Sequence, residues 1–207
     1  MTATKEEIEH GRSILAYFNT IPWCSSLLNA ANTTIYHHLP RHNNTGGVTE
    51  HAFWNRTLAT PDTIRGVLSI TTSNLAAEYP RITEYITLFS LGPGLAGYGG
   101  MCHGGMIGTL FDEATGTLVN LLEEIETREV DGYARKSAFT LNMQITYKKA
   151  VPAPGIVLVR SRLERVAGKQ RLVCATIEDE KGNVLCEARY NFIVLNKGRG
   201  MDIMAKL

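Results

Sequence analysis

The sequence lacks the features that mark several large classes of protein. Its 21 basic and 20 acidic side chains leave a formal net charge of +1 without a basic run, so it predicts no nucleic-acid-binding surface. No apolar segment approaches the ~20 residues that span a bilayer. The first twenty residues contain three glutamates, which argues against a signal or transit peptide.

The sequence also lacks cysteines and histidines at the spacing of a metal site. The four cysteines are Cys24, Cys102, Cys174 and Cys186. They show no C-x-x-C spacing, and we expect reduced thiols in an intracellular protein, without a zinc site or a disulfide framework. Four histidines occur in one polar segment, at His37, His38, His42 and His51. Because no carboxylates or thiols accompany them at ligand spacing, we expect a polar loop there and no bound metal.

The composition, 44% hydrophobic and 20% charged, is typical of one globular domain with a substantial core. Thr4 and Glu7 form a capping-box pattern that predicts a helix, which Pro22 ends. Residues 29–58 predict a long irregular connection. Residues 64–72 fit either a strand or a helix.

The second half of the chain predicts an α+β fold. Residues 83–91 are rich in β-branched and aromatic side chains and predict a strand. After residue 131, successive strand patterns joined by short turns predict an antiparallel meander. One face of this meander is apolar, and the long helix predicted between residues 104 and 127 is the element available to cover it.

The predicted helix has three faces. The core face contains Ile107, Leu110, Phe111, Ala114, Leu118, Leu121, Leu122 and Ile125. The solvent face contains Glu113, Thr117, Asn120 and Glu124. The third face contains Gly105, Gly108, Thr109, Asp112, Thr115 and Gly116, with Val119 and Glu123 further along. A glycine inside a helix costs about 1 kcal/mol relative to alanine, so these small residues around Asp112 predict the close approach of a ligand, a partner subunit or both.

The start of this helix predicts acyl chemistry. The first N–H groups of a helix have no intrahelical acceptor and can stabilise negative charge on a carbonyl oxygen. Gly104 and Gly105 leave room for that approach. Asp112, two turns further on, is a carboxylate that can orient a water molecule. Together these features predict a hydrolase of activated acyl groups.

Two segments carry a resemblance to a known family. "HGGMIGTLFDEATG" resembles the H-G-G-x(6)-D segment of hotdog-fold acyl-CoA thioesterases of the phenylacetate type, and "FTLNMQITYKK" is similar to a strand of that family. The resemblance implies an antiparallel sheet wrapped around one long helix. It implies a single domain over residues 1–207, with an N-terminal extension (1–80), a hotdog core (83–195) and a C-terminal tail (196–207).

The resemblance also implies roles for individual residues. Asp112 is implied as general base or nucleophile, and Gly104 as the donor of the oxyanion-hole N–H, with Gly105 beside it at the substrate. His103 is implied at the entrance of the site, where it helps to shape the turn. Thr140 is implied to reach the site from the neighbouring subunit of a homodimer or a dimer of dimers.

Further expectations concern the substrate. Lys148 and Lys149 either bind the CoA phosphates or form a solvated strand end. The reaction implied is hydrolysis of an acyl-CoA without a metal or organic cofactor. The sequence departs from the family pattern at two places. The loop before His103 is rich in glycine and lacks the asparagine of some relatives, and Ala150 replaces a common proline. These departures bear on which acyl group is accepted more than on the type of reaction.

Three alternatives compete with this interpretation. The first is a dinucleotide-binding protein, because "GPGLAG" satisfies the G-x-G-x-x-G pattern. The helix that follows starts several residues too late and no βαβ unit is predicted, so we interpret this segment as a flexible lip over the pocket. A hotdog hydratase or dehydratase, or a non-catalytic acyl-CoA binder, would keep the fold and change the function. Cys102 beside His103 resembles a nucleophile pair, although a buried thiol fits adjacent residues better.

The last three residues, Ala205-Lys206-Leu207, are similar to the S-K-L peroxisomal address. They predict recognition by a peroxisomal import receptor and a place in peroxisomal lipid metabolism, with the cytoplasm as the alternative.

Overall fold

The computed structural model describes residues 5–36, 52–73, 82–128 and 136–196. The helices are α1 (Lys5–Asn19), α2 (Pro22–Leu28) and α3 (Gly104–Arg128), with a π-helical turn at Phe53–Leu58 and a 3-10 turn at Pro93–Leu95. The strands are β1 (Thr33–Tyr36), β2 (Ile64–Ser73), β3 (Ile82–Leu91), β4 (Ala96–Tyr98), β5 (Met101–Cys102), β6 (Lys136–Tyr147), β7 (Gly155–Ala167), β8 (Gln170–Glu178) and β9 (Val184–Asn196).

Seven strands form one antiparallel sheet in the order β1-β2-β3-β7-β8-β9-β6, and β4 and β5 form a short hairpin before α3. The predicted strand at 83–91, the long helix and the meander are confirmed by β3, α3 and strands β6 to β9. The α+β fold class, an antiparallel sheet packed on one long helix, is therefore confirmed.

The main core lies between α3 and one face of the sheet. In α3 it includes Leu110, Phe111 and Ala114, none of which has exposed surface, and in β9 it includes Tyr190 and Phe192. Alternate residues of each strand contribute to this core, as a pleated sheet with one covered face requires. α3 thereby lies along the sheet with its first turn beside the hairpin, where the candidate site begins.

A second core covers the outer face of the sheet. Phe18 of α1 packs with Leu68 of β2 and Leu88 of β3, and all three are fully buried. Since β2 is covered on both faces, apolar and polar residues do not alternate clearly in its sequence. This explains why residues 64–72 fitted either a strand or a helix. β1 also lies within the segment predicted to be irregular, so the sheet starts before residue 83.

The third face of α3 is covered by the chain's own strands at Gly108 and Gly116, whereas Gly105 and Asp112 on the same face are exposed. A Cβ atom on Gly108 would lie 3.4 Å from Ile145 of β6, and one on Gly116 would lie 3.7 Å from Phe192 of β9. The close approach predicted for a partner or ligand is therefore made here by the chain's own strands, because the sheet curls around the helix. The core-face assignment of Ile125 is wrong, since this residue near the helix end is 39% exposed.

Some predictions lie outside the described residues. They concern Thr4, the histidines His37, His38, His42 and His51, and the C-terminal Ala205, Lys206 and Leu207. The capping box, the loop assignment and the peroxisomal address stay predictions. In the described part of the chain, no helix has the length and hydropathy needed to cross a membrane.

Candidate active site

The two glycines that begin α3 differ in their backbone N–H groups: the Gly105 N–H makes a hydrogen bond within the chain, and the Gly104 N–H makes none with a described residue. The Gly105 N–H donates to Nδ1 of His103 at 3.0 Å, so His103 caps the helix from the preceding position. The Gly105 N–H is therefore engaged within the chain, and the place of Gly105 beside the substrate stays a prediction. Gly104 is the first helical residue, and no described residue accepts its N–H. Gly104 retains the N–H required of an oxyanion hole.

Two close contacts hold His103 in place. Its own N–H donates to the carbonyl oxygen of Leu95 at 2.8 Å. A Cβ atom at Gly97 would lie 3.0 Å from the imidazole Cδ2, so the ring would have to shift by a few tenths of an ångström if residue 97 carried a side chain. The side chain nevertheless remains exposed at the helix start.

The glycines of "GPGLAG" serve close packing. The Gly94 N–H donates to the carbonyl oxygen of Asp62 at 2.8 Å, and a Cβ atom on Gly92 or Gly94 would collide with Asp62. The interpretation as a flexible lip is therefore wrong, because this loop is packed against residues 62–63. A dinucleotide site is also contradicted, because an antiparallel sheet replaces the βαβ unit.

Asp112 is exposed on α3, and the Thr140 hydroxyl donates to its Oδ1 at 2.7 Å. Thr140 lies on β6 of the same chain. A register shift between Thr140 and Asn142 leaves one extra residue in β6 at this point, a bulge of the kind that redirects side chains. Our prediction that Thr140 reaches Asp112 from a neighbouring subunit is therefore wrong. Strand β6, at the end of the sheet, lies beside α3 of the same chain and brings Thr140 to its own Asp112.

The predicted oxyanion-hole N–H and the predicted catalytic carboxylate are far apart in one chain. Gly104 and Asp112 are separated by eight residues of α3, which corresponds to about 12 Å along the helix axis. A reacting carbonyl must lie about 3 Å from both the N–H donor and the attacking group. One chain therefore does not bring Gly104 and its own Asp112 to the same carbonyl.

Two tyrosines of the site were missed by the sequence analysis. The Tyr147 hydroxyl of β6 donates to the carbonyl oxygen of Gly104 at 3.1 Å, and the Tyr190 hydroxyl of β9 donates to that of Gly108 at 2.9 Å. Burial raises the pKa of Tyr190, with smaller contributions from the negative charge of Asp112 and from Tyr147, so Tyr190 remains a neutral donor. Both tyrosines thus attach the first two turns of α3 to the sheet.

The remaining predicted residues are two lysines directly after β6 and one cysteine in β5. Lys148 forms an ion pair with Glu187, so its charge is already partnered. Lys149 is exposed; the pKa of Asp179 is lowered mainly by the side-chain hydrogen bond from Asn183, and the charge of Lys149 adds a smaller effect. Cys102 is buried, and desolvation, with a smaller effect of Cys186, raises the pKa of its thiol to about 11. Cys102 is thus a neutral thiol at pH 7, which argues against a nucleophile.

Residues 99–186 match the family model of the thioesterase superfamily. Acyl-coenzyme A thioesterase THEM4 of Mus musculus is 35% identical over 113 residues, which cover 54% of this chain and 43% of the mouse protein. The chain thus spans less than half the length of that relative. Verlamelin biosynthesis protein B of Lecanicillium sp is 24% identical over 209 residues and 89% of each chain.

Solved structures of similar proteins include the BH2602 protein from Bacillus halodurans with CoA, which is 26% identical. The comparison covers 53% of this chain and 66% of that chain, with a TM-score of 0.43. The thioesterase HI1161 of Haemophilus influenzae is 14% identical, with a TM-score of 0.49 and coverage of 73% and 92%.

Proposed function

We propose that this chain, whose residues 99–186 match the family model of the thioesterase superfamily, hydrolyses an acyl-CoA thioester to a free acid and CoA. The observation that carries the proposal is one helix with two reactive features. Its first N–H, at Gly104, is open to a ligand, and its exposed carboxylate, Asp112, is held by the Thr140 hydroxyl. The name of the mouse relative supports acyl-CoA as the substrate class.

In the proposed reaction, the thioester carbonyl oxygen accepts the Gly104 N–H, which stabilises the negative charge that develops on this oxygen. Asp112 then acts in one of two ways. As a base it takes a proton from water while the water oxygen bonds to the carbonyl carbon, and as a nucleophile it forms an anhydride that water opens. In both routes the C–S bond breaks and CoA leaves as a thiolate, which becomes the thiol by taking up the proton released from the attacking water. No step requires a metal or an organic cofactor.

The separation of Gly104 from Asp112 supports a homodimer with shared sites, in which Gly104 of one subunit faces Asp112 and Thr140 of the other. β6 supports the same arrangement. It is a twelve-residue strand at the end of the sheet, and its Met143 and Tyr147 are each 55% exposed. Among the described strands β6 pairs only with β9, and a free edge of this length favours pairing with a second chain. Two such dimers can assemble into a dimer of dimers.

The test of the activity is CoA release from short, medium, long and aromatic acyl-CoAs. Asp112→Asn is expected to lower kcat by about 10²–10⁴-fold with little change in KM, because the lost interaction belongs to the transition state. The matched control is Glu113→Gln, one position away on the same helix, which should retain activity. Binding of acyl-CoA without CoA release by the wild type would favour a binder. Water addition to an enoyl-CoA would favour a hydratase.

A complementation experiment tests the shared site. Asp112→Ala and Gly104→Val are mixed and allowed to exchange subunits. If Gly104 of one subunit serves Asp112 of the other, each heterodimer contains one intact site, and about one quarter of wild-type activity should return.

The control mixture combines Asp112→Ala with Thr140→Val. Because these two residues act in the same half-site, no heterodimer has an intact site and no activity should return. Equal recovery in both mixtures, with subunit exchange shown by mass, would contradict this arrangement.

A further inference from the structure

The side chain of Asn120 on α3 contacts the backbone of strand β6. Its Oδ1 accepts the N–H of Ala138 at 3.1 Å. Ala138 lies two residues before Thr140, whose hydroxyl donates to Asp112 at 2.7 Å. Asn120 is exposed, as its position on the predicted solvent face requires, and it makes this contact nevertheless. The hydrogen bond therefore connects the strand that carries Thr140 to the helix that carries Asp112.

The Ala138 N–H points to the edge of the sheet. Ala138 is paired with Val194 of β9, and the Val194 N–H donates to Lys169, directly before β8, at 2.8 Å. The two residues of an antiparallel pair either exchange both hydrogen bonds or direct both N–H groups away from each other. The Ala138 N–H thus points away from β9, where no described strand pairs with β6. Asn120 supplies the acceptor that a further strand would otherwise provide.

This hydrogen bond lies directly before the bulge of β6. The register with β9 changes between Thr140 and Asn142. Before the bulge the side chain of Thr140 faces α3, and after it that of Tyr147 does. If the bulge moved to the other side of Thr140, toward Ala138, the Thr140 side chain would turn to the opposite face of the sheet. The contact of Thr140 with Asp112 therefore requires that β6 be held in register just before the bulge.

We propose that Asn120 is a positioning residue of the active site, which holds Ala138 in register so that the Thr140 hydroxyl stays on Asp112. This inference rests on the proposed thioesterase function. The ion pair of Lys136 with the buried Glu123 holds β6 two residues earlier, but its removal would disturb the core. Because Asn120 is exposed, its substitution tests the positioning role with the least change to the fold.

The first test measures amide hydrogen exchange by NMR and needs no activity. The Ala138 amide should be protected in the wild type, and Asn120→Ala should raise its exchange rate by about 10-fold or more. Asn120→Asp keeps an acceptor oxygen at the same place and should keep the protection. The matched control is Glu126→Ala, an exposed position of the same helix, which should leave the rate unchanged. An unprotected Ala138 amide in the wild type, or unchanged exchange in Asn120→Ala, would overturn the inference.

The second test measures CoA release. We expect Asn120→Ala to lower kcat by about 3- to 10-fold with little change in KM, because Thr140 then supports the carboxylate of Asp112 in only part of the molecules. Asn120→Asp should retain most of the activity, and Glu126→Ala should be as active as the wild type. The urea midpoint of Asn120→Ala should stay close to that of the wild type, because alanine favours helix and water can accept the Ala138 N–H.

A double variant separates positioning from a general structural effect. Thr140→Val lacks the hydroxyl that Asn120 is proposed to position. Adding Asn120→Ala to Thr140→Val should therefore change kcat by less than about 2-fold, since residues that act through one another are not additive. A further loss as large as in the single variant would show that Asn120 acts independently of Thr140 and would overturn the inference.

The outcomes distinguish this inference from the function on which it rests. If Asn120→Ala is fully active while Asp112→Asn is inactive, the positioning role is refuted and the thioesterase proposal stands. If Asp112→Asn is fully active, the thioesterase mechanism fails, and the positioning role of Asn120 fails with it.

Discussion

The Thr140 hydroxyl donates to Oδ1 of Asp112 at 2.7 Å within one chain, across the contact between strand β6 and helix α3. A hydrogen bond to a carboxylate fixes its direction and stabilises its charge. The carboxylate and its supporting hydroxyl therefore form one unit that does not depend on a second subunit. What the unit lacks is an electrophile-binding N–H within reach, since Gly104 lies about 12 Å away along the helix.

The first prediction tests this unit. Thr140→Val keeps the shape of the side chain and removes the donor, so Asp112 loses its orientation. We expect kcat for acyl-CoA hydrolysis to fall about 10-fold or more, since hydrogen bonds to charged groups contribute about 1.5–3 kcal/mol. Thr140→Ser keeps the hydroxyl and should retain most of the activity. Full activity in Thr140→Val with a loss in Thr140→Ser would indicate that packing of the methyl group, rather than the hydrogen bond, is what matters.

The second prediction concerns Gly104. A Cβ atom there would lie 3.6 Å from the Tyr147 hydroxyl, an ordinary contact, so the fold tolerates alanine. The free energy of unfolding of Gly104→Ala should stay within about 0.5 kcal/mol of the wild type or rise, because alanine favours helix. The kcat/KM should fall by about 10²-fold, because the methyl group obstructs a carbonyl that approaches the N–H. A denaturant titration and a CoA-release assay check both parts, and an active Gly104→Ala would argue against this N–H as the oxyanion donor.

Much of the fold could be predicted because local patterns sufficed. The 3.6-residue period of α3 and the alternation in β7 and β9 are each determined by one apolar face. The identity of β2 could not be predicted in the same way, since it depends on α1 and α2 covering its second face. That is a tertiary contact, and no local pattern encodes it.

For the site, too, the sequence predicted what depends on neighbouring residues and not what depends on tertiary contacts. Asp112 and Gly104 stand out because their neighbours in sequence are unusual. The contact of Thr140 with its own Asp112 depends on the sheet order, which places β6 at the end of the sheet. Tyr147 was missed because the bulge after Thr140 shifts the alternation of β6, so that Thr140 and Tyr147 face the same side although seven positions separate them.

The third prediction concerns stability at the far end of α3. Glu123 is 2% exposed, and its carboxylate accepts hydrogen bonds from Arg171 at 2.8 Å and from Lys136 at 3.0 Å. Arg171→Met removes one partner of a buried charge and should lower the free energy of unfolding by about 3–5 kcal/mol. The matched control is Arg189→Met, whose exposed pair with Glu164 spans 3.6 Å and should contribute about 0–1 kcal/mol. Urea denaturation compares the two, and similar losses would contradict the importance of burial.

The last prediction concerns alkaline pH. Burial, with a smaller effect of Cys186, raises the pKa of the Cys102 thiol from 9.0 to about 11, so the folded protein retains a proton that the unfolded chain releases above pH 9. The contribution of Cys102 to stability is thus complete below pH 9 and is lost as the pH rises through about 11. The rise of the pKa from 9.0 to about 11 corresponds to a loss of about 2–3 kcal/mol.

Cys102→Ala removes the titrating group and should therefore show a shallower decline of the free energy of unfolding between pH 9 and 11. Its stability at pH 7 will also be lower, because the smaller side chain leaves a cavity, so the slopes rather than the absolute values are compared. The tyrosines of the unfolded chain titrate in the same range in both proteins, and their effect cancels in the difference. Identical slopes would indicate that the Cys102 thiol in the folded protein loses its proton as readily as it does in the unfolded chain.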